Sequence, residues 1–387
     1  MSAQRRIYLD NAATTPLAPQ ALEAMLPFFT QEFGNASAVH TWGREAKRAI
    51  EAARRQVMRA IGAQQPQEIL FTSGGTESDN WAITGTVFAK GKPEECHIIT
   101  SAIEHHAVLH TCRWLEKLGC RVTYLPVDGY GRVNPADVEK AICPETVLVS
   151  VMMANNEVGT VQPIAEIGEI CRARKVLLHT DAVQAVGAIP VDVNALQVDL
   201  LSLSAHKFHG PKGAGALYVR RGVKPANLLN GGAQERGLRA GTENVPALVG
   251  MGKAIEMAAE DQADNAARMT ALRQRLIAAV TARVENVRLN GHPTERLPGN
   301  VNLSFDGVEG EALLLRLDLA GVAGSSGSAC TSGALDPSHV LMALGLTEAQ
   351  AQGSLRLTLG TDTTEADVDE AADRLAPIVA DLRKRRY

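Results

Sequence analysis

Short apolar, β-branched runs recur between residues 68 and 220, separated by stretches whose apolar positions repeat at helical spacing. The runs are 68–71, 97–100, 121–127, 147–152, 176–179, 199–203 and 215–219, and the amphipathic stretches include 107–118 and 163–174. Strands alternating with helices predict a mainly parallel, doubly wound sheet covered on both faces. Runs 200–203 and 216–219 are joined by a Gly/Pro-rich loop too short for a crossover helix, so that pair is expected to be antiparallel. After Gly241 the pattern changes. An Ala/Met/Arg-rich helical region covers 245–284, followed by a strand-like 300–305, a helical 311–317 and a small-residue loop over 321–333. Another strand at 354–359 and a helix from about Glu365 end the chain. The expectation is an α/β protein with a large mixed-sheet domain over 15–260 and a smaller α+β domain built from 1–14 and 261–387.

Composition narrows the setting. A chain of 387 residues, 45% hydrophobic and 21% charged, has room for two cores. Its 39 Lys+Arg and 43 Asp+Glu leave a formal charge of -4, which gives no reason to expect nucleic acid or an anionic membrane as partner. The one basic cluster, Arg383-Lys384-Arg385-Arg386, reads as a solvated helix end. No apolar run reaches the roughly 18 to 20 residues that span a bilayer, and a cytoplasmic location is expected. Six cysteines occur without a Cys-x-x-Cys pair, so neither a disulfide framework nor a metal site is predicted. Cys96, Cys112, Cys120, Cys143 and Cys171 lie in or beside apolar or helical patterns and are expected to pack as small hydrophobes. Cys330 does not.

Candidate chemistry gathers at strand ends. Ser73-Gly74-Gly75-Thr76-Glu77-Ser78 follows run 68–71 and opens a helix around 79–84. Glycines allow a sharp turn and close approach, and a helix N-terminus offers unpaired N–H groups to a phosphate. A Ser/Gly turn capped by Thr76 is the competing role, and without Gly-Lys-Ser/Thr this is no nucleotide loop. Ser204-Ala205-His206-Lys207-Phe208-His209-Gly210-Pro211 lies just past another strand, where open α/β sheets bind ligands. A desolvated lysine there can form a Schiff base with an aldehyde cofactor, and Ser204 and His206 are placed to bind phosphate beside Thr76. His179-Thr180-Asp181-Ala182-Val183-Gln184 offers a carboxylate for a protonated pyridine nitrogen and, one turn on, an amide for a ring hydroxyl, although Asp181 also suits a helix cap. Glu104-His105-His106 and Asn155-Asn156-Glu157 follow two further strands, giving an imidazole able to stack and move protons, and an amide. Ser325-Ser326-Gly327-Ser328-Ala329-Cys330-Thr331-Ser332-Gly333 is too rich in Gly and Ser to bury much, so Cys330 is expected in an exposed, movable loop as a nucleophile. Arg356, on the strand after it, suits a substrate carboxylate.

These motifs, with Tyr8-Leu9-Asp10-Asn11-Ala12-Ala13-Thr14-Thr15 and Glu235-Arg236-Gly237 through Gly241-Thr242, resemble the NifS/IscS-type cysteine desulfurases along almost the whole chain. The resemblance implies the aspartate-aminotransferase-like fold (type I), a homodimer and pyridoxal 5'-phosphate as cofactor. It implies that Lys207 carries the cofactor, that His105 stacks on the ring as acid/base, and that Asp181 pairs with the pyridine nitrogen. Gln184 and Asn156 would contact the ring hydroxyl and the substrate. Gly75, Thr76, Ser204 and His206 would bind the phosphate, with Thr242 supplied by the other subunit. Arg356, helped by Asn35, would bind the L-cysteine carboxylate, and Cys330 would carry sulfur as a persulfide to a scaffold for iron–sulfur assembly or to tRNA thiolation. No resident metal is implied; Cys330 would at most touch a cluster held by the scaffold. The chain departs from the family pattern at Ala36, where Pro is usual, and at Ala233, where His is usual. It ends at Tyr387, short of the tail some members use for docking.

Rival readings divide on the same residues. An aminotransferase of this fold has no use for Cys330, and a selenocysteine lyase differs only in substrate preference. A catalytically silent scaffold subunit would not need Lys207, Asp181 and His105 together. A dinucleotide site is disfavoured because no G-x-G-x-x-G opens a helix after a strand.

Overall fold

The computed structural model describes residues 5–326 and 337–384. Its strands are β1 (Ile7–Tyr8), β2 (Ile69–Thr72), β3 (His97–Ser101), β4 (Arg121–Leu125), β5 (Thr146–Ser150), β6 (Leu177–Asp181), β7 (Leu200–Ser204), β8 (Gly215–Val219), β9 (Val287–Leu289), β10 (Asn300–Phe305), β11 (Val322–Ala323) and β12 (Ser354–Thr358). β2 to β8 form one sheet in the order β2-β8-β7-β6-β5-β3-β4. β4, β3, β5, β6 and β7 are mutually parallel, while β8 runs against both β7 and β2. The antiparallel pair expected from the short Gly/Pro loop is present, from Leu200 opposite Val219 to Ser204 opposite Gly215. Because only β8 is reversed, β2 ends on the same edge as the parallel strands. Helices on both faces explain why β2, β3, β7 and β8 are buried at every position and read as unbroken apolar runs.

A second core is gathered around the antiparallel sheet β12-β10-β9, against helices Gln262–Arg283 and Glu365–Lys384. Ile7 and Leu9 belong to this core, because β1 pairs in parallel with β11. The helical region 245–284 is two helices, Val245–Glu260 and Gln262–Arg283, interrupted at Asp261. The first buries Leu248, Met251 and Ile255 in the large core, the second Leu272, Leu276 and Val280 in the small one. Change of partner, not a breaker residue, marks the interruption.

Helix Thr41–Ala60 was not anticipated by the apolar pattern. Its buried stripe of Ala46, Ile50, Ala53 and Val57 is narrow and alanine-rich among arginines and glutamates. The stripe packs on helix Val245–Glu260 so closely that a Cβ on Gly252 would lie 2.7 Å from the Cα of Ala53. Cys96, Cys112, Cys120 and Cys171 are buried as expected, but Cys143 is half-buried beside Arg121 and Thr146. Among the described residues no helix is long and apolar enough to cross a membrane.

One buried ion pair joins three elements. Arg54 of helix Thr41–Ala60 donates two hydrogen bonds of 2.7 Å to Glu235, and a further one to the carbonyl of Ile69. Glu235 also accepts from the Phe71 amide, and the guanidinium lies 4.7 Å from the centre of the Phe71 ring. Removing Glu235 leaves the buried guanidinium only the partly exposed Glu51 as a carboxylate partner, at a cost of up to about 3 to 5 kcal/mol. Glu235→Ala should therefore lower the urea midpoint by that equivalent, whereas Glu235→Gln, which retains acceptor and shape, should lose less. Equal midpoints for the alanine variant and the parent would refute this role.

Candidate active site

The ends of β2, β3, β5, β6 and β7 bring the sequence motifs to one edge of the sheet. Close packing there depends on glycine. A Cβ on Gly215 would lie 2.6 Å from the Cα of Gly74, and one on Gly75 would lie 2.7 Å from Val183 Cγ2. The Ser73–Ser78 turn is thus pressed against β8 and the loop after β6. It is braced by a 2.8 Å bond between the Thr72 and Ser78 hydroxyls. Helix Gly75–Lys90 starts there without a side-chain cap, leaving its first N–H groups for an anion. Thr76 is exposed at this mouth. Ser204, at the end of β7, is buried beside it, so near that a Cβ on Gly75 would lie 3.7 Å from the Cβ of Ser204.

Three side chains converge behind the turn. Polar atoms of Asp79, His105 and Asp181 all lie within 4.8 Å of one another. Asp79 is 1% exposed, and its Oδ1 has no hydrogen-bond partner. The nearest base, His179 Nε2, stands 3.6 Å away. Asp181 Oδ1 accepts from the Val183 amide at 2.9 Å. Burial and the charge of Asp181 push Asp79 well above the usual carboxylate range, and burial raises Asp181 to about 6. Two adjacent buried carboxyls resist double ionisation unless a cation joins them.

The histidines are kept neutral. His105 caps helix His106–Lys117, its Nδ1 accepting from the Ala107 amide at 3.1 Å, so a neutral ring carries its proton on Nε2. Burial, then the charge of Lys207, lowers it to about 4. His179 is fixed by the hydroxyls of Ser150 at 2.8 Å and Ser202 at 3.0 Å, and burial lowers it to about 3. Behind His105, Glu104 accepts from Ser101 Oγ at 2.5 Å and from the Met152 amide at 3.0 Å, and burial raises it to about 8.

Lys207 ends a short turn, Ala205–Lys207, directly after β7. Its ammonium donates to the carbonyls of Ala12 and Ala13, the latter at 2.8 Å. Gln184 donates to the same Ala12 carbonyl at 2.9 Å, and His206 Nδ1 meets Thr14 Oγ1 at 3.1 Å. The segment after β1 therefore lies across the site. Asp10, on that segment, holds Arg356 at 3.0 Å, while Arg356 also donates to the Asn156 carbonyl at 3.0 Å. Arg356 is 4% exposed and its Nε has no partner.

The structure thus joins Lys207, Gln184, His206, Asn156 and Arg356 through shared bonds, and sets Asp181 by His105. Asn35 and Thr242 are exposed, and neither is hydrogen-bonded to the others; Asn35 Oδ1 accepts from Ser37. Cys330 lies outside the described residues. Asp79, His179, Glu104 and Asp10 were given no role by sequence reasoning. A legible signal existed for His179: it and Asp181, two residues apart, share one face of β6.

The family model described as Aminotransferase class-V matches residues 7–371. Over 382 residues the chain is 53% identical to the cysteine desulfurase IscS of Clostridium botulinum (strain Hall), covering 98% of this chain and 96% of that protein. It is 54% identical over 382 residues to the cysteine desulfurase IscS of Methanosarcina thermophila, covering 98% and 93%. A solved NifS-like protein superposes with a TM-score of 0.90 at 39% identity, covering 97% of this chain and 100% of that one.

The raised Glu104 makes a signed prediction. Between about pH 4.5 and 8 the unfolded chain gives up this proton while the fold keeps it, so stability falls as pH rises through that window. Glu104→Gln keeps acceptor capacity without the titration. Its urea midpoint should decline less from pH 5 to pH 8 than the parent's, and parallel curves would rule the explanation out.

Proposed function

This chain belongs to the class-V aminotransferase family, among its cysteine desulfurases, and from that premise we propose how it works. It takes sulfur from L-cysteine, releases L-alanine and passes the sulfur, through a persulfide on Cys330, to an acceptor protein for iron–sulfur cluster assembly. The observation that carries the reading is the buried pair Asp79 and Asp181 beside His105, one strand away from Lys207.

The cofactor the family implies is pyridoxal 5'-phosphate, and the cleft suits it. The buried Asp181 carboxyl, with Asp79 and its orphaned Oδ1 behind it, suits a protonated ring nitrogen. The uncapped helix start at Gly75 and Thr76, with Ser204 and His206, suits the phosphate. Lys207 supplies the amine for covalent attachment, and Gln184 and Asn156 the amides for the ring hydroxyl and substrate. When bound, this cofactor provides the electron sink that lets an amino acid lose its Cα proton. Neutral His105 would lie against the ring, and its Nε2 is the atom able to hold or release a proton. Arg356 binds the substrate carboxylate, with Asn35 assisting, and that carboxylate must share or displace Asp10. The Cys330 thiolate attacks the substrate sulfur: an S–S bond forms as the C–S bond breaks, and a proton completes alanine.

Residues 15–260 would hold the cofactor and 1–14 with 261–387 would form the small domain bearing Cys330. A homodimer agrees with the exposed Leu26, Phe29, Phe33, Val39 and Trp42, too many apolar side chains for one stretch of free surface, and would let Thr242 of one subunit serve the phosphate site of the other.

Borohydride reduction of the cofactor-loaded protein should fix the tag on Lys207. Cys330→Ala should stay yellow and bind cysteine, yet release almost no sulfide with a reductant present and acquire no extra sulfur by mass spectrometry. A tag on any other lysine, or full activity in the alanine variant, would overturn the assignment.

A further inference from the structure

We propose that Glu157 and Ser338 are positioning residues for the sulfur-accepting thiol, fixing one end of the segment that carries Cys330 to the loop that bears Asn156. The inference rests on the role given to Cys330 above. Residue 338 follows that segment in sequence, and Ser325 and Ser326 precede it.

Glu157 and Ser338 are each 4% exposed, and the Ser338 hydroxyl donates to Glu157 Oε2 at 2.5 Å. Burial raises Glu157 to about 7 although Ser338 and Arg356 oppose the shift, and in so dry a setting leaving either bond partner unpaired is costly. Glu157 is tied on its other side as well. Its main-chain carbonyl accepts from the side-chain amides of Asn300 and Asn302, both at 3.1 Å. Asn302 sits opposite Arg356 in the pairing of β10 with β12, and Arg356 in turn bridges to Ser325, with main-chain bonds of 2.6 and 3.0 Å. Ser325, Arg356, Asn302, Glu157 and Ser338 thus form an unbroken chain of contacts linking the two flanks of the Cys330 segment. The same chain passes through Arg356 and lies next to Asn156, so the flanks are indexed to the substrate-binding groups.

Helix His339–Ala343, just downstream, is seated by other means. Val340 and Leu341 pack with Ile103 and Val158, and His339 Nε2 meets the Glu104 carbonyl at 3.0 Å. Ser338 also caps that helix, accepting from the Leu341 amide at 3.2 Å. A merely structural serine would act through this cap. Glu157→Ala separates the roles, since it removes the carboxylate and leaves the cap in place.

The test uses the cofactor-loaded, full-length protein. Sulfur added to Cys330 in the first turnover is timed by rapid quench and mass spectrometry, while cysteine affinity and cofactor content are read by absorbance. Misplacement of a reacting group by about 1 Å can cost on the order of a hundredfold in rate. Glu157→Ala and Ser338→Ala should slow persulfide formation by about tenfold to a hundredfold, with cysteine affinity and cofactor colour held at parental levels. Glu157→Gln and Ser338→Thr, which keep the acceptor and the hydroxyl, should restore most of the rate. The double alanine variant should be no slower than the slower single one, because both remove the same bond. A parental rate in Glu157→Ala, or a loss of rate matched by loss of cysteine affinity and colour, overturns the proposal. Absence of persulfide from the parent itself would overturn the role of Cys330 and this inference with it.

Discussion

Two buried carboxyl groups within 4.8 Å of each other and of an imidazole set the terms for the whole cleft. Burial works against ionising both Asp79 and Asp181, and the charge of Lys207 opposes it only at Asp181. A fold tolerates such a pair only if its surroundings are dry, rigid and ready to receive a positive group. The neighbourhood of this pair meets those demands. His179 is clamped neutral by two serines, and Glu104 is tied to a main-chain amide. The glycine contacts between the Gly74 turn and β8 leave no room for slack.

Sheet direction explains why these groups meet at all. Strands β3, β5, β6 and β7 run parallel, β2 shares their direction because only β8 is reversed, and each delivers its following residues to one edge. Parallel pairing thereby converts motifs far apart in sequence, such as Glu104-His105 and Ser204 to Lys207, into one polar cleft. The segment from Asp10 to Thr15 crosses this edge after leaving the second core. It binds Lys207, Gln184, His206 and Arg356 with main-chain or side-chain oxygens.

Much of this was legible in the chain itself. The seven strands of the large sheet fall within a few residues of their apolar runs, since buried parallel strands leave so plain a trace. Lys207, Asp181 and His105 were singled out because polar residues at strand ends contrast with their neighbours, and Arg356 because it is a charge in the middle of an apolar strand. Helix Thr41–Ala60 was missed because alanines, not large apolar residues, make its contact face. Asp79 and Glu157 were given no role because their significance depends on burial, which only tertiary packing reveals. The interruption at Asp261 left no local mark, because it reflects where one core stops and another begins.

That interruption also limits how the two cores can move. The Asp261 amide closes the first helix on the Met257 carbonyl, and the Asp261 carbonyl accepts from the Asn265 amide of the second, both at 3.0 Å. One residue thus ends the first ladder and begins the second, so the two cores are joined along this path through Asp261 alone. A change of angle between the helices that serve the two cores would be taken up at that one residue, without breaking a rung of either.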